Sequence, residues 1–323
     1  MSQNGGRGGD SEARTWTVLE LLRWTTEYFG SRGVETPRLD AEVLLAHALG
    51  LRRLDLYVEF ERPVVPRERA GFRELVVRRV SERVPVAILV GEKEFWSQRF
   101  RVTTDVLTPR PDTETLVEGA LARMPDATRA YRVLDVGTGC GAIALALAKE
   151  RPAARVTATD ISPQALQIAR FNAEELQVSH GVEFLAGSLF EPIGDMQFDL
   201  VVSNPPYLAR RDSADLPAEL EHEPELALFG GEDGYRVLEP LAAQVVERIR
   251  PGGWVLVEVD PSQAETVVGW FRSSGLEDTG TLRDLAGRER VVVGCRPEAE
   301  QQAEKTRPED ASKKRGGLQD VAP

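Results

Sequence analysis

The run Phe198 to Ser203, closed by Asn204-Pro205-Pro206-Tyr207, constrains the fold of this chain more than any other stretch. Six largely apolar residues stopped by a proline pair read as a short parallel strand buried on both faces. The four residues that follow then sit at the carboxyl edge of that strand. In open α/β sheets this edge is where ligands bind, so the tetrad is placed for chemistry more than for packing.

Its residue types point the same way. Asn204 has a side-chain carbonyl that accepts hydrogen bonds, and the Pro205 carbonyl is held in one direction by the prolines on either side. Together they can grip one NH2 group, while Tyr207 offers a flat face for a planar amide or base. The tetrad resembles that of methyltransferases acting on planar nitrogens: adenine N6, cytosine N4 or the glutamine amide. Taken alone it is equally a loop with a Pro-Pro stop, and its context decides.

That context lies upstream. Tyr131 to Val136 reads as a strand, followed by Gly137-Thr138-Gly139-Cys140-Gly141 and an apolar helix from Ala142 to Lys149. Alternate glycines let the backbone turn tightly and approach a ligand, and the helix start is expected to offer free N–H groups to it. Arg155 to Thr159 reads as the next strand, and Asp160 at its end lies 23 positions after Gly137, suited to accept bonds from two ribose hydroxyls. Gly137-x-Gly139-x-x-Ala142 also satisfies the loose dinucleotide fingerprint. Against a nicotinamide enzyme, Asp135 would face a pyrophosphate unfavourably but could help hold an ammonium, directly or through water. The tetrad has no role in hydride transfer either. The combination looks like a class I S-adenosylmethionine-dependent methyltransferase.

Further segments narrow the resemblance. Pro85-Val86-Ala87, Gly91 to Trp96, Val106 to Glu118, the glycine loop, Ser203 to Tyr207, Glu223-Pro224, Ala227-Leu228, Gly230 to Gly234 and Arg283 to Arg288 are similar to the release factor glutamine methyltransferases (PrmC/HemK), across nearly all of residues 16–296. A sister family that modifies a ribosomal-protein glutamine shares the core but differs from the Pro-Arg-Pro-Asp-Thr-Glu at 109–114. The resemblance implies methyl transfer from S-adenosylmethionine to the Gly-Gly-Gln glutamine of class I peptide chain release factors. It implies acceptor roles for Asn204, Pro205, Pro206 and Tyr207. It implies cofactor contacts for Asp135, Gly137, Thr138, Gly139, Cys140, Gly141, Asp160, Leu189 and Asn204. Two departures stand out: Asp112 where the family more often has Glu, and Ser188-Leu189 where an acidic-aromatic type of pair is common near the adenine.

Composition fits an intracellular enzyme. The 323 residues exceed one average domain, and 41% hydrophobic content is ample for a core. Cys140 and Cys295 make no disulfide framework, no apolar signal core is present, and no run nears the ~18 apolar residues of a membrane span, so a cytoplasmic location is expected. Net charge is −12, with acids from Asp212 to Glu239 answered by Arg236 alone, which disfavours phosphate contact as the main binding mode. Most of those carboxylates read as a solvated face. A protein partner is expected, with no membrane and no direct nucleic acid.

The expected organisation is a disordered tail at 1–14, a helical substrate-recognition domain at 15–84, a linking β-hairpin at 85–110, a methyltransferase domain at 111–296 and a second disordered tail at 297–323. In the helical domain Val18, Leu21, Leu22, Thr25 and Phe29 recur at helical spacing, as do Leu39, Val43, Leu44 and Ala46 to Leu49. The hairpin is placed around Gly91. Strands are expected at 132–136, 155–159, 182–185, 198–203, 254–259, 279–282 and 290–294, a seven-stranded doubly wound α/β sheet whose last strand runs antiparallel.

Other residues weigh less. Phe100 reads as core before pocket lining, and Arg110 and Glu114 as pocket shapers or structural pairs. Cys140 lacks a nearby histidine to activate it, and His47, His180 and His222 lack metal-ligand spacing, so no metal is expected. Two other classes stay open at this point: a nucleic-acid amino methyltransferase acting on adenine N6 or guanine N2, and a noncatalytic binding protein retaining the pocket.

Overall fold

The computed structural model describes residues 15–298, which divide into two compact units. The first holds the chain up to Glu94, Arg99–Thr108 and Asp215–Glu225; the second holds Phe95–Gln98, Pro109–Ala214 and the chain from Leu226. The expectations for residues 1–14 and for the tail from 299 lie outside the described residues. Pro297, expected in that tail, is buried.

Three longer helices, Val18–Ser31, Pro37–Leu49 and Pro66–Ser81, build the first unit with two short ones, Asp55–Val58 and Val86–Val90. Helix Val18–Ser31 starts where it does because of a capping box: the Glu20 N–H donates to the Thr17 hydroxyl and the Thr17 N–H to the Glu20 carboxylate. All five residues of its expected apolar face are buried. Helix Pro37–Leu49 differs from expectation. Leu39 is exposed, while Asp40 and Glu42 point inward. A buried carboxylate is tolerated only when paired. Arg79 meets Asp40 at 2.8 Å, and the Tyr57 hydroxyl and Arg38 meet Glu42. Apolar periodicity cannot register such an inward face.

Arg79 also meets Glu219 at 2.9 Å, and the His222 Nε2 lies 2.7 Å from the Glu82 carbonyl oxygen. Part of the acidic run is therefore ion-paired within the helical unit and is not a solvated face. Gly91 likewise differs from its expected place. It ends helix Val86–Val90 in a left-handed conformation, and the hairpin follows it as strands Glu92–Phe95 and Gln98–Arg101. These join through Trp96 and Ser97, both at positive φ, as a two-residue hairpin turn of primed type requires.

The second unit is a seven-stranded sheet with strands β1 (Arg132–Val136), β2 (Arg155–Asp160), β3 (Val182–Ala186), β4 (Phe198–Ser203), β5 (Ile249–Glu258), β6 (Glu277–Arg283) and β7 (Glu289–Cys295). Their order is β3-β2-β1-β4-β5-β7-β6, the first five parallel and β7 antiparallel to both of its neighbours. The central strands are short apolar runs because helices cover both sheet faces. Helix Ala142–Glu150 is buried along seven consecutive residues. On the face covered by helices Leu238–Arg248 and Ala264–Ser273, Leu134, Val201, Val257 and Phe271 pack in one core, where truncating a Leu to Ala costs about 2–5 kcal/mol.

Register fixes what matters for chemistry. Val136 of β1 pairs with Ser203 of β4, and Ser203 pairs with Val257 of β5. The residues after β1 and β4, Gly137 and Asn204, therefore leave the sheet side by side at its carboxyl edge, level with Glu258 at the last position of β5. The Ser203 hydroxyl locks this row by donating to the Val136 carbonyl at 2.7 Å.

Candidate active site

Gly137, Gly139 and Gly141 all have positive φ, which lets the loop after β1 turn back over β2. A side-chain carbon added at Gly137 or Gly139 would meet nothing within 4 Å, so their outer side is open to a ligand. At Gly141 it would press on Leu145 and Ala169, which makes that glycine a packing requirement.

The loop's N–H groups are used differently from expectation. Those of Gly137 and Thr138 donate to the Thr159 carbonyl, that of Gly139 to the Asp160 carboxylate at 2.8 Å, and that of Gly141 to the Thr138 carbonyl. The Ala144 N–H at the helix start goes to Asp135 at 3.2 Å. These donors hold the loop to β2 and to its own acid, because buried backbone groups need partners whether or not a ligand is bound. On the outer side of Gly137 and Gly139 the loop leaves open space.

Asp135 is fully buried, and its Oδ2 accepts from the Thr138 hydroxyl at 2.7 Å as well as from Ala144. Its Oδ1 has no hydrogen-bond partner among the described residues. Burial pushes its pKa up to about 7, against the pull of those two bonds, and the charge of Asp160 pushes the same way. Asp160 accepts N–H bonds from Gly139 and Ser162, and burial raises its pKa too. A buried acid with an unused oxygen beside an open glycine cradle fits a nucleoside ligand that carries a cation, as S-adenosylmethionine does.

Cys140 is buried, and burial pushes its thiol up to about 12, so it stays protonated and serves as a small packing group. Its carbonyl accepts from Asn172 at 2.8 Å. Leu189 follows β3 in a left-handed conformation unusual for a branched residue, half-buried against the core. The Gly187 N–H donates to the Asp160 carbonyl, which brings this corner to the end of β2.

Across β1 stands the acceptor corner. Asn204 is half-buried and its Nδ2 donates to the Thr113 hydroxyl at 3.3 Å. Beside it, Glu258 Oε1 accepts the Tyr207 O–H in a long 3.4 Å bond. Glu258 is 1% exposed, and burial pushes its pKa up to about 7 despite Thr113, the Arg290 charge and Tyr207. Burial and the Glu258 charge hold the Tyr207 phenol protonated. Behind the tetrad, the buried Gln263 donates to the carbonyls of Tyr207 at 3.1 Å and Gly234 at 3.2 Å, and accepts the Asp260 N–H. Side-chain carbons at Gly230 and Gly234 would run into the Pro206 and Tyr207 carbonyls, so the glycine loop 230–234 fits closely against the tetrad's backbone.

The sequence alone assigns no role to Thr113, Glu258 or Gln263. A carboxylate ending the apolar run Trp254 to Val257 was the available sign of Glu258. Thr113 sat unremarked between Asp112 and Glu114. Gln263 left no sign. The Asp112 carboxylate receives Arg288 at 2.7 Å and Arg290 at 3.2 Å, and Glu114 accepts the Trp96 N–H at 3.0 Å. Both acids are structural anchors in this unit. Phe100 is fully buried.

Comparison with known proteins adds a lineage. The model of the methyltransferase small domain family matches residues 113–223, and that of the PrmC N-terminal domain matches residues 20–91. The chain is 47% identical to a release factor glutamine methyltransferase of Geobacter sulfurreducens, over 86% of this chain and 96% of that protein. It is 44% identical to one of Rhodopirellula baltica, over 86% and 95%. Among solved structures, the hMettl16 catalytic domain in complex with the MAT2A 3′UTR hairpin 6 superposes with a TM-score of 0.50 at 14% identity, covering 69% of this chain and 78% of that one. That likeness concerns the fold alone.

Proposed function

This chain belongs to the release factor glutamine methyltransferase family, and from that premise we propose that it methylates the side-chain amide nitrogen of the Gly-Gly-Gln glutamine in class I peptide chain release factors. The observation that carries this is the locked row at the sheet edge. Ser203 ties β4 to β1 by its 2.7 Å bond, so the glycine cradle and the Asn204-Pro205 acceptors start from neighbouring strands at one level.

S-adenosylmethionine, when bound, supplies a methyl group on a positively charged sulfur. Asp135, Gly137, Thr138, Gly139, Cys140, Gly141, Asp160, Leu189 and Asn204 are the residues that would hold it. An amide nitrogen is a poor nucleophile because its lone pair is delocalised into the carbonyl. Orientation must therefore provide most of the rate, through acceptors that favour a more tetrahedral nitrogen. Asn204 Oδ1 and the Pro205 carbonyl accept the two N–H bonds of the glutamine, and the Tyr207 ring packs on the amide plane. A nitrogen–carbon bond forms as the carbon–sulfur bond breaks, and the nitrogen gives up one proton. The protonated amide is acidic enough to lose it to water, so no tuned base is assigned.

The helical unit is the recognition element for the release factor, and the enzyme works in the cytoplasm where that factor acts. A net charge of −12 and the acids of 212–239 favour a protein over a nucleic-acid backbone. No helix among the described residues is long and apolar enough to cross a membrane.

The test incubates the protein with labelled S-adenosylmethionine and, in separate tubes, a class I release factor, the same factor with its Gly-Gly-Gln glutamine replaced, and an unmethylated DNA duplex. Label is expected on the intact factor alone. Label on DNA, or on nothing, would overturn the proposal.

A further inference from the structure

A side-chain amide fastens backbone segments together when its two ends face different partners, and Gln263 does so in only one possible way. Its Nε2 donates to the carbonyls of Tyr207 at 3.1 Å and Gly234 at 3.2 Å, and its Oε1 accepts the Asp260 N–H at 3.2 Å. Backbone carbonyls only accept and a backbone N–H only donates, so these partners fix which end of the amide points where. The residue is buried, and it joins three segments: the tetrad, the glycine loop 230–234 and the turn after β5.

The chain is also held on either side of the tetrad. Upstream, the Ser203 hydroxyl ties it to β1 at 2.7 Å. Downstream, the Leu208 N–H donates to the Leu228 carbonyl at 3.0 Å, and the Gly230 N–H returns to the Leu208 carbonyl at 2.9 Å. Between these anchors the two prolines fix their own φ angles, and each residue before a proline is confined to extended backbone, which restrains Asn204 and Pro205. The freedom that remains lies in Pro206 and Tyr207, where Gln263 acts. A carbon added at Gly230 would lie 2.5 Å from the Pro206 carbonyl oxygen, and one at Gly234 would lie 2.4 Å from that of Tyr207 and 2.7 Å from Gln263 Nε2. Glycine at both positions leaves room for this grip.

We propose that Gln263 is a positioning residue for the acceptor amide: by holding the Tyr207 carbonyl it fixes the last link of the tetrad, and with it the direction of the Pro205 carbonyl and the place of the Tyr207 ring. Gln263 lies behind the tetrad and acts only through it. Its contribution therefore falls on the alignment of the bound amide, which is read in kcat, and hardly on the affinity for either substrate. The proposal rests on the glutamine methyltransferase reading above.

Gln263→Glu keeps the shape and the bond from Asp260 but sets oxygen against the two carbonyls, and Gln263→Met keeps the length but drops all three bonds. Both are expected to lower kcat by roughly 10- to 100-fold, with KM for a class I release factor and the cofactor dissociation constant by calorimetry within about threefold of the parent. Rates are counted per cofactor-binding site, so that unfolded protein does not enter them. Leu276→Ala truncates a buried residue beyond the other end of helix Ala264–Ser273 and separates positioning from stability. It should leave kcat within about twofold even where its melting temperature falls as far as that of the Gln263 variants. Gly234→Ala presses on the same contact from the other side, so combined with Gln263→Met it should cost no more than about threefold beyond the worse single variant. An unchanged kcat in both Gln263 variants, an equal kcat loss in Leu276→Ala, a loss of substrate or cofactor affinity that matches the fall in kcat, or losses that multiply in the double variant would each overturn the proposal while leaving the function standing. Absence of transfer by the parent enzyme in the same assay would instead bring down the functional reading, and this proposal with it.

Discussion

The cofactor corner and the acceptor corner lie one strand apart at the same sheet edge, yet they are assembled in opposite ways. The bonds that set the cofactor corner are short in sequence: Thr138 reaches Asp135 across 3 positions, Ala144 reaches it across 9, and Gly139 reaches Asp160 across 21. Those that set the acceptor corner are long, with Asn204 to Thr113 across 91 positions, Tyr207 to Glu258 across 51 and Gln263 to Tyr207 across 56. Each corner nevertheless keeps one buried carboxylate with an unused oxygen, Oδ1 of Asp135 and Oε2 of Glu258, and each of these acids is pushed up to about 7 by burial. A strand–loop–helix unit can thus carry its own site almost alone. A clamp for a planar amide needs side chains on both sides of the amide, and only strand register can deliver them.

If the two corners are functionally separate, damage to each should show in a different measurement. Asn204→Ala is expected to have the largest effect, a kcat loss of about 100- to 1,000-fold with cofactor affinity changed far less. Equal losses in turnover and in cofactor binding would merge the two corners into one. Asp160→Ala should do the reverse. It removes the acceptor of the Gly139 and Ser162 N–H groups, leaves at least one buried donor unsatisfied, and should weaken cofactor binding by roughly tenfold or more while lowering stability by about 1–3 kcal/mol. Calorimetry and thermal melting of the same variant check both figures.

The same contrast governs what could be read from the sequence. The first five strands and the doubly wound class were legible because each of those strands holds an apolar or β-branched run between helical segments; β6, Glu-Asp-Thr-Gly-Thr-Leu-Arg, was legible only in its 279–282 part, and no helix separates it from β7. The glycine loop was legible because its function is local. The tetrad was visible, but Thr113 and Glu258, which hydrogen-bond to Asn204 and Tyr207, lay outside any motif that links them, since nothing in sequence spacing reveals that Val257 pairs with Ser203. The fate of the loop's N–H groups was hidden for a related reason: whether the Gly139 N–H faces a ligand or Asp160 depends on how β2 lies beside β1. In helix Pro37–Leu49 the misleading element was charge. Asp40 and Glu42 turn inward because Arg79, Arg38 and Tyr57 are there to meet them.

A smaller effect compares the two corners through pH. Asp135 and Glu258 have ordinary values of 3.8 and 4.5 and native values of about 7, so between these limits the native state holds protons that the unfolded state has released. The stabilising contribution of each acid is therefore fully present below its unfolded value and is lost as pH rises through about 7. Around Glu258 the charges of Arg290 and Asp112 and the hydroxyl of Tyr207 set that value; around Asp135 the Thr138 and Ala144 bonds and the charge of Asp160 do. Asp135→Asn and Glu258→Gln should each flatten the pH dependence of melting relative to the parent, by on the order of a few kcal/mol from about pH 4 to about pH 8. A parent-minus-variant difference in stability that stays level, or that rises toward high pH, for either variant would mean that the native pKa of that acid is not raised.

The smallest expected effect tests whether the cofactor corner depends on its side chains or on its backbone. Cys140 lies inside the glycine loop, where a thiol invites a chemical role, but burial holds it protonated with a pKa up near 12. Its contribution to the corner runs through its carbonyl, which accepts from Asn172 at 2.8 Å and which any residue at this position would provide. Cys140→Ala removes a single sulfur from a packed site and should cost about 1 kcal/mol in stability. Turnover and cofactor affinity should both stay within about twofold, because Asp135, Asp160 and the open face over Gly137 and Gly139 are unchanged. A loss beyond tenfold in either would assign chemistry to the thiol, and the cofactor corner would then no longer be a loop held by backbone donors and two acids alone.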